Sequence, residues 1–554
     1  MGSLRFDAER APLLLAAAFL ALALVGIGAA EITGDDESRE VGIVQDVLAG
    51  HWLWPRFNDE LIPDKPVLTH WLGAIPCAVA GFSEGAVRFP SAVAGAFVVG
   101  WTAWFGIRAL GFAPGIAAAL LLATFPAFFE RARLARPDMV MLALLAPALG
   151  LAFRAWRERR RRDAVVAMAL VGLATFAKGP VAPALFATTL LGFLAWQREF
   201  RRVTDFLTPA GIAAFVVLGG GWYAIALAGW GNEFVRQHLI GRYLRNLAGG
   251  MVEGRAYSPE PLWYHLTFYP FHLLAIALPW TPLIALALVG IGRRNGFASP
   301  LVRFLVCWAL APVVVFTPAE WKLRYYLLPS LPALALLAAP LAADLTTRPL
   351  GRPRPTPASL ALAGGALVLG GVAVWVMLAR PDLLSRSDQV RIGDLLAAVP
   401  GHAATGALAG GLIVGMIGAG VALRLWGPLL GLVGALAVGW FVVGGPAVDA
   451  ATPPDASLRT LARAAAARFP APAPLAFYGP TVRSIIVYAG RPIPSLERDD
   501  ARIAPGMGLL VRTGAYERLA AAGLVGERLA VGEGQIGNLD RGALVLTTGR
   551  RNTP

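Results

Sequence analysis

A chain of 554 residues that is 56% hydrophobic and only 15% charged, with a mean hydropathy of +0.60, is not a soluble multidomain protein but a polytopic α-helical membrane protein. Its net charge of +14 marks loops facing anionic lipid on the cytoplasmic side, so nucleic acid is not the expected partner. Two cysteines, Cys77 and Cys307, lie far apart in apolar runs and exclude a disulfide framework and a zinc-type cluster.

The first element is the apolar run Ala11 to Ala30, behind a flank with Arg5 and Arg10. It is long for a signal-peptide core and is read as a first membrane span. The first outer loop, 31–82, follows and carries the densest charge: Asp35, Asp36, Glu37 and Arg39, then Asp64 and Lys65. Such charges at the mouth of a span are costly unless wet, paired or catalytic. Within the loop, Val41, Val44, Val47 and Leu48 share one side of a helix expected over Glu40–Gly50. Trp52 and Trp54 suit the headgroup level, and Pro66–Ala80 reads as a second interfacial helix.

Further spans are expected at 86–107, 112–130, 138–155, 164–178, 181–197, 208–230, 269–291, 299–317, 325–344, 358–379, 403–424 and 427–446, about thirteen in all with the first. Dense basic loops leave the even-numbered spans: Arg157 to Arg162, Arg198 to Arg202, Arg293-Arg294 and Arg348 to Arg354. That puts the N-terminus in the cytoplasm and the C-terminus outside. The opposite face then collects the remaining polar clusters. Among them is the large outer loop 231–268, with Arg236, His238, Arg242, Tyr243, Trp263, Tyr264 and His265. Residues 1–446 thus form the transmembrane part. Residues 447–554 read as a small extracytoplasmic α/β domain, with helices at Ser457–Arg468 and Ala515–Ala522 and strands at Leu475–Tyr478, Gly508–Thr513 and Ala543–Thr548.

The chemistry gathers on the outer face. Asp36 is a carboxylate able to act as general base toward a hydroxyl or amine, with Arg39 and Lys65 on the same loop as cations for a phosphate leaving group. The alternative role for Asp36 and Glu37 is to cap the helix that follows. Arg131, Arg133, Arg136 and Asp138 form a second cluster; cations outside run against the charge rule, and either a phosphate-bearing partner or snorkelling anchors account for them. Lys178 stands between two apolar spans, and Lys322, Arg324, Tyr325 and Tyr326 form a further cluster. The six histidines are scattered; Asp64 with His238 or His265 is the one combination open to a divalent metal ion.

The ordered series Asp36-Glu37-Ser38-Arg39, Trp52…Pro55, Asp64-Lys65-Pro66…Trp71, Arg133-x-x-Arg136-x-Asp138, Lys178-Gly179-Pro180, Phe234…His238…Arg242-Tyr243, Pro261-x-Trp263-Tyr264, Pro279-Trp280 and Arg324-Tyr325-Tyr326-Leu327-Leu328-Pro329 resembles the GT-C-fold glycosyltransferases that use polyprenyl-phosphate sugars. Within them it is most similar to the aminoarabinose-transferase and dolichyl-phosphate-mannose protein mannosyltransferase-like group. The resemblance covers roughly residues 30 to 340. It implies a GT-C fold, a polyprenyl-phosphate-linked sugar donor, and a lipid, glycan or protein acceptor in a bacterial-type inner membrane. It implies that Asp36 is the catalytic acid of the first outer loop, Asp138 a second functional acid, and Lys65 a neighbour of the carrier phosphate. Asp64 stands where aminoarabinose transferases carry a Glu implicated in metal binding. The His partner expected before the Pro-x-Trp-Tyr piece is missing, with Ser258 at about that place, and His70 replaces a common Tyr before Trp71. Two other functions compete with this one. A polyprenyl-linked lipid flippase or transporter is expected to show inverted repeats and mid-membrane charges, neither of which is evident in the sequence. A polyprenyl-dependent ligase for longer glycans stays open.

Overall fold

The computed structural model describes residues 2–32, 34–59, 65–244, 261–319, 322–347, 457–535 and 541–550. The spans expected at 358–379, 403–424 and 427–446, and the boundary at residue 446, lie outside the described residues. The helices run in the order α1 (Gly2–Leu24), α2 (Asp35–Leu48), α3 (Leu68–Ala80), α4 (Glu84–Leu110), α5 (Phe112–Ala123), α6 (Pro126–Arg131), α7 (Pro137–Glu158), α8 (Arg161–Lys178) and α9 (Val181–Trp196). After α10 (Pro209–Trp230, with a π-helical middle) come α11 (Leu262–Ile276), α12 (Thr281–Arg293), α13 (Pro300–Phe316) and α14 (Leu331–Thr347).

Among the described residues, four helices are long and apolar enough to cross a membrane: α4, α7, α10 and the stretch Arg324–Thr346. Two bent pairs raise this to six: α5 with α6, bent by 68°, and α11 with α12, bent by 106°. The second pair covers the span expected at 269–291 and puts a break inside it. Pro279 lies in the break between α11 and α12, where a helix loses a backbone donor and the preceding residue is pushed out of the helical region. Close packing is set by small residues. A Cβ added at Gly100 of α4 would stand 2.9 Å from the Pro12 carbonyl oxygen of α1.

The C-terminal residues form a four-stranded sheet of β1 (Leu475–Tyr478), β2 (Gly508–Arg512), β3 (Ala530–Gln535) and β4 (Arg541–Thr548), ordered β1-β2-β4-β3. β1 and β2 are parallel, and the other two pairings are antiparallel. Alternation divides the side chains. Leu475, Phe477, Leu510, Leu544 and Leu546 share one core with α15 (Leu458–Arg468) and α16 (Arg483–Ala489). Ala476, Tyr478, Leu509, Val511 and Val545 pack toward α17 (Thr513–Ala521).

The first of these cores continues into the first outer loop, through Val41, Val44 and Val47 of α2, Phe57, and Ala74 and Cys77 of α3. Polar ties follow the same seam. The Asn58 amide donates to the Ile493 carbonyl at 3.2 Å and accepts from the Ile493 N–H at 2.7 Å. Gln45 donates to the Val487 carbonyl at 3.0 Å, and Arg459 pairs with Glu84 at 3.0 Å. The C-terminal unit therefore sits directly on α2, the helix that carries the acidic cluster.

Candidate active site

Three helix junctions deliver the site residues. Gly34 precedes α2 with φ of 74°, a conformation that favours glycine, and it turns the chain so that Asp35, Asp36 and Glu37 fall in the first helical turn. There the helix dipole favours their negative charge. Pro137 opens α7 and holds Arg136 in an extended conformation at its N-cap, with Asp138 in the first turn. Lys178 ends α8 and is followed by Gly179 at φ of 92° and Pro180, a helix stop with a cation at the negative pole.

These termini converge. Asp36 Oδ2 accepts from Arg136 Nη2 at 2.5 Å and from the Tyr325 hydroxyl at 3.1 Å, and Arg136 Nη2 also reaches that hydroxyl at 2.8 Å. The other carboxylate oxygen faces Arg39 Nη2 at 3.5 Å. The Asp36 side chain keeps 22% of its surface exposed, so it is held but reachable. The guanidinium carbons of Arg131 and Arg136 each lie 4.4 Å from the centre of the Tyr325 ring. Arg136 Nε also lies 3.7 Å from Asp138, whose other oxygen accepts from Lys178 Nζ at 2.6 Å. Lys178 in turn stands 5.6 Å from the Tyr326 ring centre. Burial works against the Arg136 charge, but Tyr325, Asp36 and Asp138 outweigh it and raise its pKa well above the usual arginine value.

Other expected residues have different surroundings. Glu37 lies behind the cluster, 5% exposed, gripped by Arg88 at 2.8 and 3.0 Å and by the Ala135 N–H at 2.9 Å. Lys65 pairs with Glu40 at 2.8 Å. Arg133 donates to the Ala23 and Val25 carbonyls around the end of α1. Lys322 donates to the carbonyls of Thr317 and Ala319 after α13, at 2.6 and 2.9 Å. Arg324 opens the 3-10 turn Arg324–Ser330 that carries Tyr325. His238 is buried and stacks on Phe234 at 4.7 Å, beside Trp222 and Tyr223. The side chain of Arg242, and Asp64 entirely, lie outside the described residues. Among the described residues, no three His, Cys, Asp or Glu side chains converge as a metal set.

Sequence reasoning missed two groups. Glu40 is buried and takes Lys65 and His70 on its two oxygens, each at 2.8 Å. Burial opposes its charge, but Lys65, then His70 and Arg39, outweigh that and hold its carboxyl well below the ordinary range. Arg88 is the buried partner of Glu37. The signal for Glu40 was its place one turn after Asp36; the signal for Arg88 was a lone cation within an apolar span.

Residues 64–222 match the family model of the dolichyl-phosphate-mannose-protein mannosyltransferases. The chain is 30% identical over 382 residues to undecaprenyl phosphate-alpha-4-amino-4-deoxy-L-arabinose arabinosyl transferase 2 of Pseudomonas fluorescens, over 67% of this chain and 66% of that protein. It is 28% identical over 339 residues to the corresponding arabinosyl transferase of Yersinia pestis, over 60% of this chain and 59% of that protein. The chain thus matches about three fifths to two thirds of the length of these relatives. The crystal structure of ArnT from Cupriavidus metallidurans bound to undecaprenyl phosphate shares the fold, with a TM-score of 0.68 at 17% identity over 98% of each chain. Fold, spans and charged rim together define a multi-pass membrane protein of GT-C architecture. The chain shares that fold, and in sequence it is similar to the aminoarabinosyl transferases and, over residues 64–222, to the dolichyl-phosphate-mannose-protein mannosyltransferases.

Proposed function

We propose that this protein is an integral membrane glycosyltransferase that moves a sugar from a polyprenyl-phosphate carrier to a lipid A-type glycolipid, a glycan or a protein on the extracytoplasmic face. The observation that carries this reading is the Asp36 carboxylate, fixed by Arg136 and Tyr325 yet partly open, with Arg39 facing its other oxygen. In the reaction, Asp36 removes the proton from an acceptor hydroxyl or amine. The freed lone pair attacks the anomeric carbon as the bond from that carbon to the phosphate oxygen breaks, with inversion. The carrier leaves as polyprenyl phosphate, and Arg39 and Lys65 stabilise its growing negative charge. Arg136 orients the base; Asp138 and Lys178 form a neutral pair that holds Arg136 in place. Glu37 acts as a positioning residue, anchoring the first turn of α2 against α4.

The full architecture proposed is about thirteen spans with interfacial α2 and α3, an extracytoplasmic domain at 447–554, and a cytoplasmic N-terminus in a bacterial inner membrane. Incubating membranes that contain the protein with labelled polyprenyl-phosphate sugars tests the function. Label is expected to pass to an acceptor; failure of every donor to transfer label, with carrier lipid crossing the bilayer instead, would favour the flippase or transporter.

A further inference from the structure

Next to Asp36 lies a second buried charge cluster. Arg39 Nη2 stands between the two, 3.5 Å from Asp36 Oδ1 and 3.4 Å from Glu40 Oε1. Glu40 Oε1 also accepts from Lys65 Nζ at 2.8 Å, and Oε2 lies 2.8 Å from His70 Nε2. An ionised carboxylate can only accept, so the His70 proton sits on Nε2. His70 is almost wholly buried on α3, and its Nδ1 has no hydrogen-bond partner among the described residues, nor has the Thr69 hydroxyl beside it. A cavity of about 20 Å³, room for about one water, is lined by Glu40, Thr69, His70, Ser91 and Arg136 together with apolar residues such as Val44, Val87 and Val140. One small space thus touches both the Asp36 anchor, Arg136, and the Glu40 cluster.

Replacing buried ion pairs by apolar residues often stabilises a protein, so stability alone is a weak reason for this arrangement. Its cations give a better one. Arg39 faces Asp36 and Lys65 lies on the far side of the same pair, both on flexible stems, and Glu40 is the carboxylate they share. We propose that Glu40 is a positioning residue for the transfer reaction: it holds Lys65 Nζ and the Arg39 guanidinium beside Asp36, where they meet the carrier phosphate, and His70 fixes the orientation of its carboxylate. This inference rests on the proposed function, through the assignment of Lys65 to the phosphate.

The test is binding of undecaprenyl phosphate to the purified full-length protein in nanodiscs, which needs no acceptor and no turnover. Lys65→Met and Glu40→Gln are each expected to raise the Kd about tenfold, equal to about 1.4 kcal/mol. The double variant should bind no worse than Lys65→Met alone, because Glu40 acts through Lys65. His70→Gln, whose amide N–H can take the place of Nε2, should bind as the native protein does, whereas His70→Ala should bind more weakly. Unchanged or tighter binding by a folded Glu40→Gln, or additive losses in the double variant, overturns the inference. If Glu40→Gln does not fold, equal binding by His70→Gln and His70→Ala overturns it instead. Failure of the native protein to bind the carrier overturns the proposed function as well, whereas binding that Lys65→Met weakens and Glu40→Gln does not overturns the inference alone.

Discussion

At the scale of single residues, the acids of α2 divide the work by burial. Asp36 is reachable, whereas Glu37 is enclosed by Arg88, which also donates to the Ile27, Ala30 and Glu31 carbonyls. Removing one member of such a buried pair leaves an uncompensated charge, a loss of about 3–5 kcal/mol. Arg88→Met should therefore lower the thermal unfolding temperature sharply, and adding Glu37→Leu should recover much of that loss; calorimetry in detergent reads both. Glu40 adds a pH dependence. Its carboxyl sits below its ordinary value of 4.5 in the folded protein, so its contribution is present above the unfolded value and is lost as pH falls through the folded one. The stability gap between the native protein and Glu40→Gln should shrink on going from about pH 6 to about pH 3. Asp36, Arg136, Asp138, Lys178 and Tyr325 were legible in the sequence because a charged or motif-bearing residue stands out in an apolar chain. Glu40 was not, because the apolar side of α2 explains that helix and gives its first polar residues no assigned partner. Only the fold shows that α3 and the segment before it bring His70 and Lys65 against it.

At the scale of elements, the site depends on helix ends. Gly34 holds φ of 74°, and an alanine there is strained by about 1 kcal/mol. The start of α2 would shift with it, so Gly34→Ala should lower transfer far more than it lowers stability; parallel activity and unfolding measurements separate the two. Seating of the C-terminal unit on α2 is the second element-level feature. Asn58→Ala removes both bonds to the Ile493 backbone and should speed hydrogen exchange around Ile493 without unfolding the spans. The strands at Leu475–Tyr478 and after Gly508 were readable as short apolar runs bounded by Pro and Gly. The contact of α16 with α2 was not, since a pairing more than 400 residues apart in sequence leaves no local pattern.

At the scale of the whole molecule, the organising fact is that charge collects where helices end on one side, around Asp36, and that the C-terminal unit covers the same side. The charge rule for loops predicts that this side faces outward, because basic clusters follow alternate spans. The break between α11 and α12 was less legible, since hydropathy sums over a proline without registering a turn of 106°. If the C-terminal unit lies outside, a cysteine placed at the exposed Arg518 should react with a membrane-impermeant thiol reagent in intact cells. Modification only after lysis would reverse the proposed orientation.

The most direct measurement is single-turnover transfer from a labelled polyprenyl-phosphate sugar, comparing the native protein with Asp36→Asn in nanodiscs. Asparagine keeps the shape and an acceptor for Arg136 and Tyr325 but cannot take the acceptor's proton. Asp36→Asn is expected to fold, bind the carrier and transfer no sugar. Transfer at the native rate would contradict that.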